Sequence, residues 1–391
     1  MRARMLVAGV ALMATAAACS GDGSAPDDAL SAAREIALET TTTSTTSTST
    51  TTTSTTTTTT TEAPPTTPPP TTAAPVRPRT TAPPAPKAES EPPAPRPAPG
   101  SPSTIGSCSV FPRSSYWYGD VSTLPVHAKS ATYVASVGTG ANMHPDFGSG
   151  TWEGRPIGIP YTVVPQGQAG VPVSFEYDDE SDPGPYPIPA GVPIEGGPQS
   201  DGDRHVLVVE DGTCKLYEMF AAYPDGSGWS AGSGAAWDLG SNALRPAGWT
   251  SADAAGLPML PGLVRYDEVA SGHIDHAIRI TVNRTHNSYV WPARHKAGSS
   301  DTNAPPMGTW FRLKADYDIS GFPAEAQVIL QALKTHGAIV ADNGASWFIS
   351  GAPDERWNNQ ALLTLRQVKG SAFEAVDTSA MQVSANSGQA R

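Results

Sequence analysis

The stretch from Asp203 to Phe220 constrains the fold of this chain more than any other. Two runs of apolar, β-forming residues flank the dipeptide Asp211-Gly212, and Asp-Gly between such runs is the strongest short-range signal for a β-hairpin. A two-residue turn would place His205 opposite Glu218 on one face of that hairpin. The stretch therefore predicts an antiparallel strand pair within a mainly β domain.

The hairpin face that carries His205 and Glu218 is also a candidate for chemistry. Asp203 lies on the same face, and an imidazole beside carboxylates on rigid strands can transfer protons or bind a metal. Apolar neighbours on this face would raise the pKa of Glu218 toward the range of a general acid. A buried, hydrogen-bonded structural pair is the alternative interpretation, and it is left open here.

Two carboxylates about one sugar apart would make a glycosidase site. We take Glu218 as the first carboxylate, with Asp203 on the facing strand or Asp253 as its partner. His205 would position Glu218 or act as the base itself. Asp253 has a competing role, because the stretch Thr250–Asp253 has the form of a capping box that opens a short helix.

A metal site is the alternative to this metal-free arrangement. Asp203, His205, Glu218 and His276 offer oxygen and nitrogen ligands that could meet inside a β-barrel, as in cupins. The sequence lacks the closely spaced HxH pattern of cupins. We therefore expect neither a metal nor a cofactor.

Aromatic and charged residues between the predicted strands are candidates for substrate binding. Glycan sites combine aromatic platforms with hydrogen-bonding and charged groups. The candidates are Trp237, Arg245, Trp249, His276, Arg279, Trp291 and His295. Packing in the core is the competing explanation for each tryptophan.

Residues 1–18 have the features of a signal peptide. Two arginines precede a short apolar run, and the small residues Ala16, Ala17 and Ala18 precede Cys19. The apolar run is too short to span a membrane. The arrangement resembles the lipobox of bacterial lipoproteins, which implies that Cys19 is the first mature residue and carries a diacylglycerol. An ordinary signal peptide with an incidental cysteine is the alternative.

Residues 19–102 are expected to form a disordered tether. Every residue from Thr40 to Thr61 is Thr or Ser, and residues 62–102 are rich in Pro, Ala and Thr. Such compositions cannot bury a core. A Pro-rich spacer extends by ~3 Å per residue and could hold a domain ~100 Å or more from its anchor. We therefore expect an exported protein that is lipid-anchored to the outer face of the cytoplasmic membrane, at the cell surface.

Residues 103–391 should form one β-sandwich domain of jelly-roll type. Short β-branched and aromatic runs alternate with Gly- and Pro-rich turns, as in such folds. Helices are also expected at 323–336 and 358–367, and the chain should fray from about residue 379. Cys108 and Cys214 are expected to form a disulfide, because the protein is exported.

The net charge of −12 lies mostly in this domain. An acidic surface argues against nucleic acid as a ligand and fits neutral glycans better. The usual nucleotide-binding, hydrolase-elbow and zinc-protease motifs do not occur in the sequence. We expect a monomer that contacts the membrane only through its lipid anchor.

Four stretches carry a resemblance to other proteins. They are Asp179–Tyr186, Asp201–Val209, Arg245–Gly256 and Gly351–Trp357. They resemble an uncharacterised group of exported, actinobacterial-type β-sandwich proteins, and the similarity covers essentially the whole globular domain. The resemblance supports export and transfers no functional residue.

The resulting functional expectation is a glycoside hydrolase, or less favoured a lyase, that acts on a cell-wall or other polysaccharide. A non-catalytic glycan-binding or cell-wall interaction module is the alternative. The size of the domain favours the enzyme, because lone binding modules usually have about 100 to 150 residues.

Lipidation at Cys19 can be tested directly. Cells that express the protein should incorporate a labelled fatty acid into it, and Cys19→Ala should abolish the label while an exported protein is still made. Metabolic labelling followed by immunoprecipitation measures this. An unlabelled wild-type protein would rule out the anchor.

Overall fold

The computed structural model describes residues 104–391 of the chain. The predicted signal peptide, Cys19 and the predicted tether lie outside the described residues. The expected mainly β architecture with a few short helices is confirmed. No helix in this described part combines the length and the apolar character that a membrane crossing requires.

The strands are short and are numbered here in chain order. They are β1 Thr104–Ile105, β2 Cys108–Ser109, β3 His144–Asp146, β4 Thr151–Trp152, β5 Arg155–Pro156, β6 Tyr161–Val164, β7 Val173–Phe175, β8 Val206–Glu210, β9 Lys215–Phe220, β10 Tyr223–Asp225, β11 Gly228–Ala231, β12 Ser233–Asp238, β13 Ile278–Val282, β14 His286–Tyr289, β15 Pro306–Met307, β16 Trp310–Leu313, β17 Ala338–Asn343, β18 Phe348–Ser350 and β19 Phe373–Val376.

The α-helices are α1 Ser130–Val137, α2 Tyr266–Ser271, α3 Ala324–Thr335 and α4 Asn359–Leu363. Short 3-10 helices cover Tyr116–Tyr118, Asp178–Glu180, Leu260–Gly262, Thr364–Gln367 and Gly370–Ala372. The helices expected at 323–336 and 358–367 are thus present, the second as α4 followed by a 3-10 turn.

A four-stranded sheet contains the organising hairpin, in the order β12-β9-β8-β6. β8 is antiparallel to β9 and parallel to β6. Leu207 and Val209 pack on one face into the main hydrophobic core. Val206 and Val208 pack on the other face into a second, smaller core. Because both faces are covered, the strand reads as a continuous apolar run.

A six-stranded mixed sheet forms the second large layer, in the order β19-β16-β17-β13-β18-β3. Its central strand β13 is buried along its whole length. Helix α3 contributes to the same core with apolar residues at helical spacing, Ala326, Ile329, Leu330 and Leu333. One small sheet has the order β10-β11-β7, and three further sheets are the pairs β1-β2, β4-β5 and β14-β15.

The hairpin forms with a different register from the expected one. Leu207 pairs with Glu218 and Val209 pairs with Leu216, so the loop has four residues, Asp211–Cys214, rather than two. The shift is two residues, which keeps His205 and Glu218 on one face but separates them along it. The predicted direct pairing of His205 with Glu218 is therefore wrong.

Tertiary contacts explain the wider loop. The carboxylate of Asp211 accepts the backbone N–H of Ser107 at 2.9 Å. Cys214 adopts a left-handed conformation with φ of 51° and forms the expected disulfide with Cys108, whose Cα atoms lie 5.3 Å apart. The loop is thus shaped by its attachment to the first hairpin, β1-β2.

Two further expectations are corrected. The stretch Thr250–Asp253 is irregular and forms no helix, and the hydroxyl of Ser251 accepts the N–H of Asp253 at 2.9 Å. The chain after residue 379 packs back on the domain and does not fray. Gly388 accepts the N–H of Tyr116 at 2.8 Å, and the side chain of Met381 is buried.

Candidate functional site

Glu218 lies on β9 and is fully buried. Its carboxylate accepts the indole N–H of Trp237 at 3.0 Å and the backbone N–H groups of Met259 and Leu260 at 3.0 and 2.9 Å. Burial raises the pKa of Glu218 to about 7, and the three N–H donors oppose that shift. The carboxylate thus satisfies donors at the start of the 3-10 helix Leu260–Gly262, which is a structural role.

The imidazole of His205 contacts Glu195 instead of Glu218. Nδ1 of His205 lies 2.6 Å from Oε2 of Glu195, and Nε2 lies 3.0 Å from the carbonyl oxygen of Ala252. Burial acts to lower the pKa of His205, but the carboxylates of Glu195 and Asp203 together outweigh it, and the pKa is raised to about 9. The ring is therefore an imidazolium at neutral pH.

Glu195, Asp203 and His205 form a cluster, called here the His205 cluster. One donor atom from each residue lies within 4.8 Å of those of the other two. Glu195 and Asp203 are half-buried, whereas His205 is buried. The backbone N–H of Glu195 donates to the carbonyl of His205 at 3.0 Å, which fixes the two segments side by side.

The alternation of side chains predicted Asp203 and His205 on one face, but no sequence pattern indicated Glu195. This residue follows the buried Val192 and Ile194 and precedes two glycines in a loop with no regular spacing. No periodic pattern links such a position to β8. The metal set considered from the sequence is also corrected, because neither Glu218 nor His276 belongs to the cluster.

Asp253 and Arg279 meet as a buried ion pair. The guanidinium of Arg279 donates twice to the carboxylate of Asp253, at 2.9 and 2.8 Å. It also donates to Ser350 at 2.8 Å and to Asp342 at 3.1 Å. The geometry gives Asp253 a structural partner on β13 and assigns Arg279 to the core.

A second cluster lies around Arg245 and comprises Glu180, Asp182, Arg245, Trp249 and His295; it is called here the Arg245 cluster. Arg245 forms an ion pair with Asp182 and donates to the carbonyl oxygens of Thr250 and Glu180, both at 2.7 Å. Its guanidinium also lies 5.4 Å from the ring centre of Trp249. These contacts fix the guanidinium between two acidic residues and an indole.

The outer side of the Arg245 cluster is accessible. Oε2 of Glu180 lies 4.0 Å from Nε2 of His295, and their side chains are 33% and 27% exposed. Glu180 also accepts the N–H of Thr250 at 2.9 Å, and Nδ1 of His295 lies 2.8 Å from the carbonyl oxygen of Ala254. Nδ1 of His295 donates to that carbonyl, and this contact leaves the other ring nitrogen, Nε2, directed toward Glu180.

The predicted substrate-binding residues Trp237, His276 and Trp291 are not on the accessible side of the Arg245 cluster. Trp237 is buried, with its ring centre 5.5 Å from the guanidinium of Arg245. His276 is buried against Glu268, at 3.2 Å, and the indole of Trp291 donates to the carbonyl of Ser387 at 2.8 Å. These contacts account for the three side chains as parts of the packed interior or its edge.

Two further features have no signal in the sequence pattern. Glu180 and Asp182 lie in a stretch that carried only a resemblance, and nothing in their spacing linked them to Arg245. Trp152, at the end of β4, is 72% exposed. A cavity of about 370 Å³ lies at Asp120, Arg312 and Lys334 and includes none of the predicted site residues.

Comparison of the chain with protein-family models, with curated proteins and with solved structures finds no match. The functional interpretation therefore depends on the geometry of the clusters.

The buried state of Glu218 predicts a pH-dependent stability. Its pKa is raised from 4.5 to about 7 in the folded protein, so between these values the folded state binds more protons than the unfolded state. The free energy of unfolding should then fall by about 2–3 kcal/mol as the pH rises through this range. Glu218→Gln should remove that part of the dependence.

Urea unfolding of both proteins at pH 5 and pH 8 measures the effect. The difference in stability between wild type and Glu218→Gln should change between the two pH values. The same difference at both would mean that the three N–H donors keep Glu218 ionised throughout.

Proposed function

We propose that this protein is a cell-surface lipoprotein whose β domain binds a neutral polysaccharide at the Arg245 cluster without cleaving it. One observation carries the proposal. The predicted catalytic residues Glu218, Asp253 and His205 are buried and hydrogen-bonded to the protein. By contrast, Glu180 and His295 are partly exposed, and Glu180 lies next to Arg245, whose guanidinium packs against the indole of Trp249.

The chemistry of the Arg245 cluster fits a sugar ligand. An indole face packs against the apolar face of a pyranose ring, and nearby carboxylate and imidazole groups can accept and donate hydrogen bonds to hydroxyls. Arg245 is already neutralised by Asp182, so the cluster offers no free guanidinium for an anionic ligand. A neutral glycan is therefore the better match.

The proposed location follows from the N-terminal sequence. A lipid anchor on Cys19 and an extended tether of Thr, Ser and Pro would carry the domain outward through a cell wall. A binding module benefits from such reach, because a long flexible connection lets one anchored domain sample a large volume of wall polymer.

Binding can be tested with the full chain and a panel of insoluble and soluble polysaccharides. Trp249→Ala should weaken binding to the preferred polysaccharide at least about tenfold, which corresponds to ~1.4 kcal/mol. Glu180→Gln should weaken it as well, with less risk to folding. Affinity electrophoresis or pull-down with dose–response analysis gives the numbers.

Trp152→Ala is the matched control, because it removes an exposed tryptophan on the separate hairpin β4-β5. It should leave binding unchanged. Equal losses for Trp152→Ala and Trp249→Ala, or full binding by Trp249→Ala and Glu180→Gln, would contradict the placement of the site.

A glycoside hydrolase is the second candidate function, with a lyase less favoured. The observation in its favour is the pKa of about 7 for Glu218, which suits a general acid. Trp237 donates to Glu218 and also lines a shallow recess with Tyr116. A hydrolase would release new reducing ends, and Glu218→Gln would stop that release while the ligand still bound. No release by the wild type supports the binding module.

A further inference from the structure

We propose that the His205 cluster binds a divalent transition-metal ion of the zinc type. The ligands would be Nδ1 of His205 and one carboxylate oxygen each from Glu195 and Asp203. The proposal reverses the metal-free expectation drawn from the sequence. It is independent of the proposed glycan binding, because it concerns different side chains.

The positions of the donor atoms fit a single ion. All three lie within 4.8 Å of one another, and an ion ~2 Å from each ligand requires them roughly 3 to 4 Å apart. The shortest separation, 2.6 Å between Nδ1 of His205 and Oε2 of Glu195, would have to widen for both atoms to bind one ion. Three protein ligands with two half-buried carboxylates leave a coordination position for water or ligand.

The environment of the His205 ring provides a second argument. The carbonyl oxygen of Ala252 can only accept, so Nε2 carries the hydrogen. Nδ1 of the imidazolium donates its proton to a carboxylate oxygen of Glu195, and a cation could take the place of that proton between the nitrogen and the oxygen. A metal ion satisfies both, and a backbone carbonyl on the far nitrogen is the usual outer partner of a metal-binding histidine.

The ligand set selects among metals. One imidazole nitrogen with two carboxylates suits Zn²⁺ or Mn²⁺, whereas Ca²⁺ and Mg²⁺ prefer sites made of oxygen ligands. A bound ion would also connect the loop that carries Glu195 to the start of β8. We therefore expect the ion to stabilise the domain in addition to any chemistry at its open position.

The test uses the full chain with Cys19→Ser, which removes a free thiol as a competing zinc ligand. After treatment with EDTA and dialysis, ZnCl₂, MnCl₂ and CaCl₂ are titrated by calorimetry, and thermal unfolding is followed with and without each ion. We expect one Zn²⁺ per chain and a raised midpoint of unfolding with Zn²⁺, and no effect of Ca²⁺. The d–d absorption of Co²⁺ reports nitrogen and oxygen ligation independently.

Glu195→Gln and Asp203→Asn should each weaken Zn²⁺ binding at least about tenfold, because even outer partners of metal ligands have effects of that size. Asp201→Asn is the matched control, since its side chain is 84% exposed and pairs with Arg155. Circular dichroism checks that each variant is folded. No Zn²⁺ binding by the folded parent, or binding that both cluster variants leave unchanged, would overturn the proposal.

Discussion

The buried ion pair between Arg279 and Asp253 connects the two large sheets of the domain. Arg279 projects from β13 at the centre of the six-stranded sheet. Asp253 ends the segment 250–253, whose carbonyl oxygens accept hydrogen bonds from His205 and from Ser233 at the start of β12, in the four-stranded sheet. A buried guanidinium without its carboxylate would cost about 3–5 kcal/mol. The segment is therefore held in one place between the layers.

Both clusters depend on this segment and its continuation. Arg245 binds the carbonyl of Thr250, His205 binds that of Ala252, and His295 binds that of Ala254. The Arg245 cluster and the His205 cluster are thus positioned by alternate carbonyl groups of one short piece of chain. Rigid backbone acceptors set the orientation of each ring and guanidinium, which is the condition for a preorganised binding site.

Part of the hairpin that carries His205 followed from local sequence patterns. Alternation of side chains along the strands correctly placed His205 and Glu218 on one face, and the register shift of two residues preserved that face. Glu195 and Glu180 could not be found in this way. Each lies outside the strands, in a segment without a regular side-chain period. Glu195 reaches His205 across 10 residues of irregular loop, and Glu180 reaches Thr250 across 70 residues. The path of the loop and the packing around it determine such contacts.

The sequence by itself determined the β character of the domain, the helices at α3 and α4 and the pairing of Cys108 with Cys214, because these depend on periodicity, on helix-end signals and on the number of available cysteines. The tertiary structure decided the loop length of the hairpin, the partner of each buried charge and the path of the last residues. The physical reason is that a buried polar group takes whichever partner the packed interior brings within reach. That choice depends on the whole fold and not on the neighbouring residues.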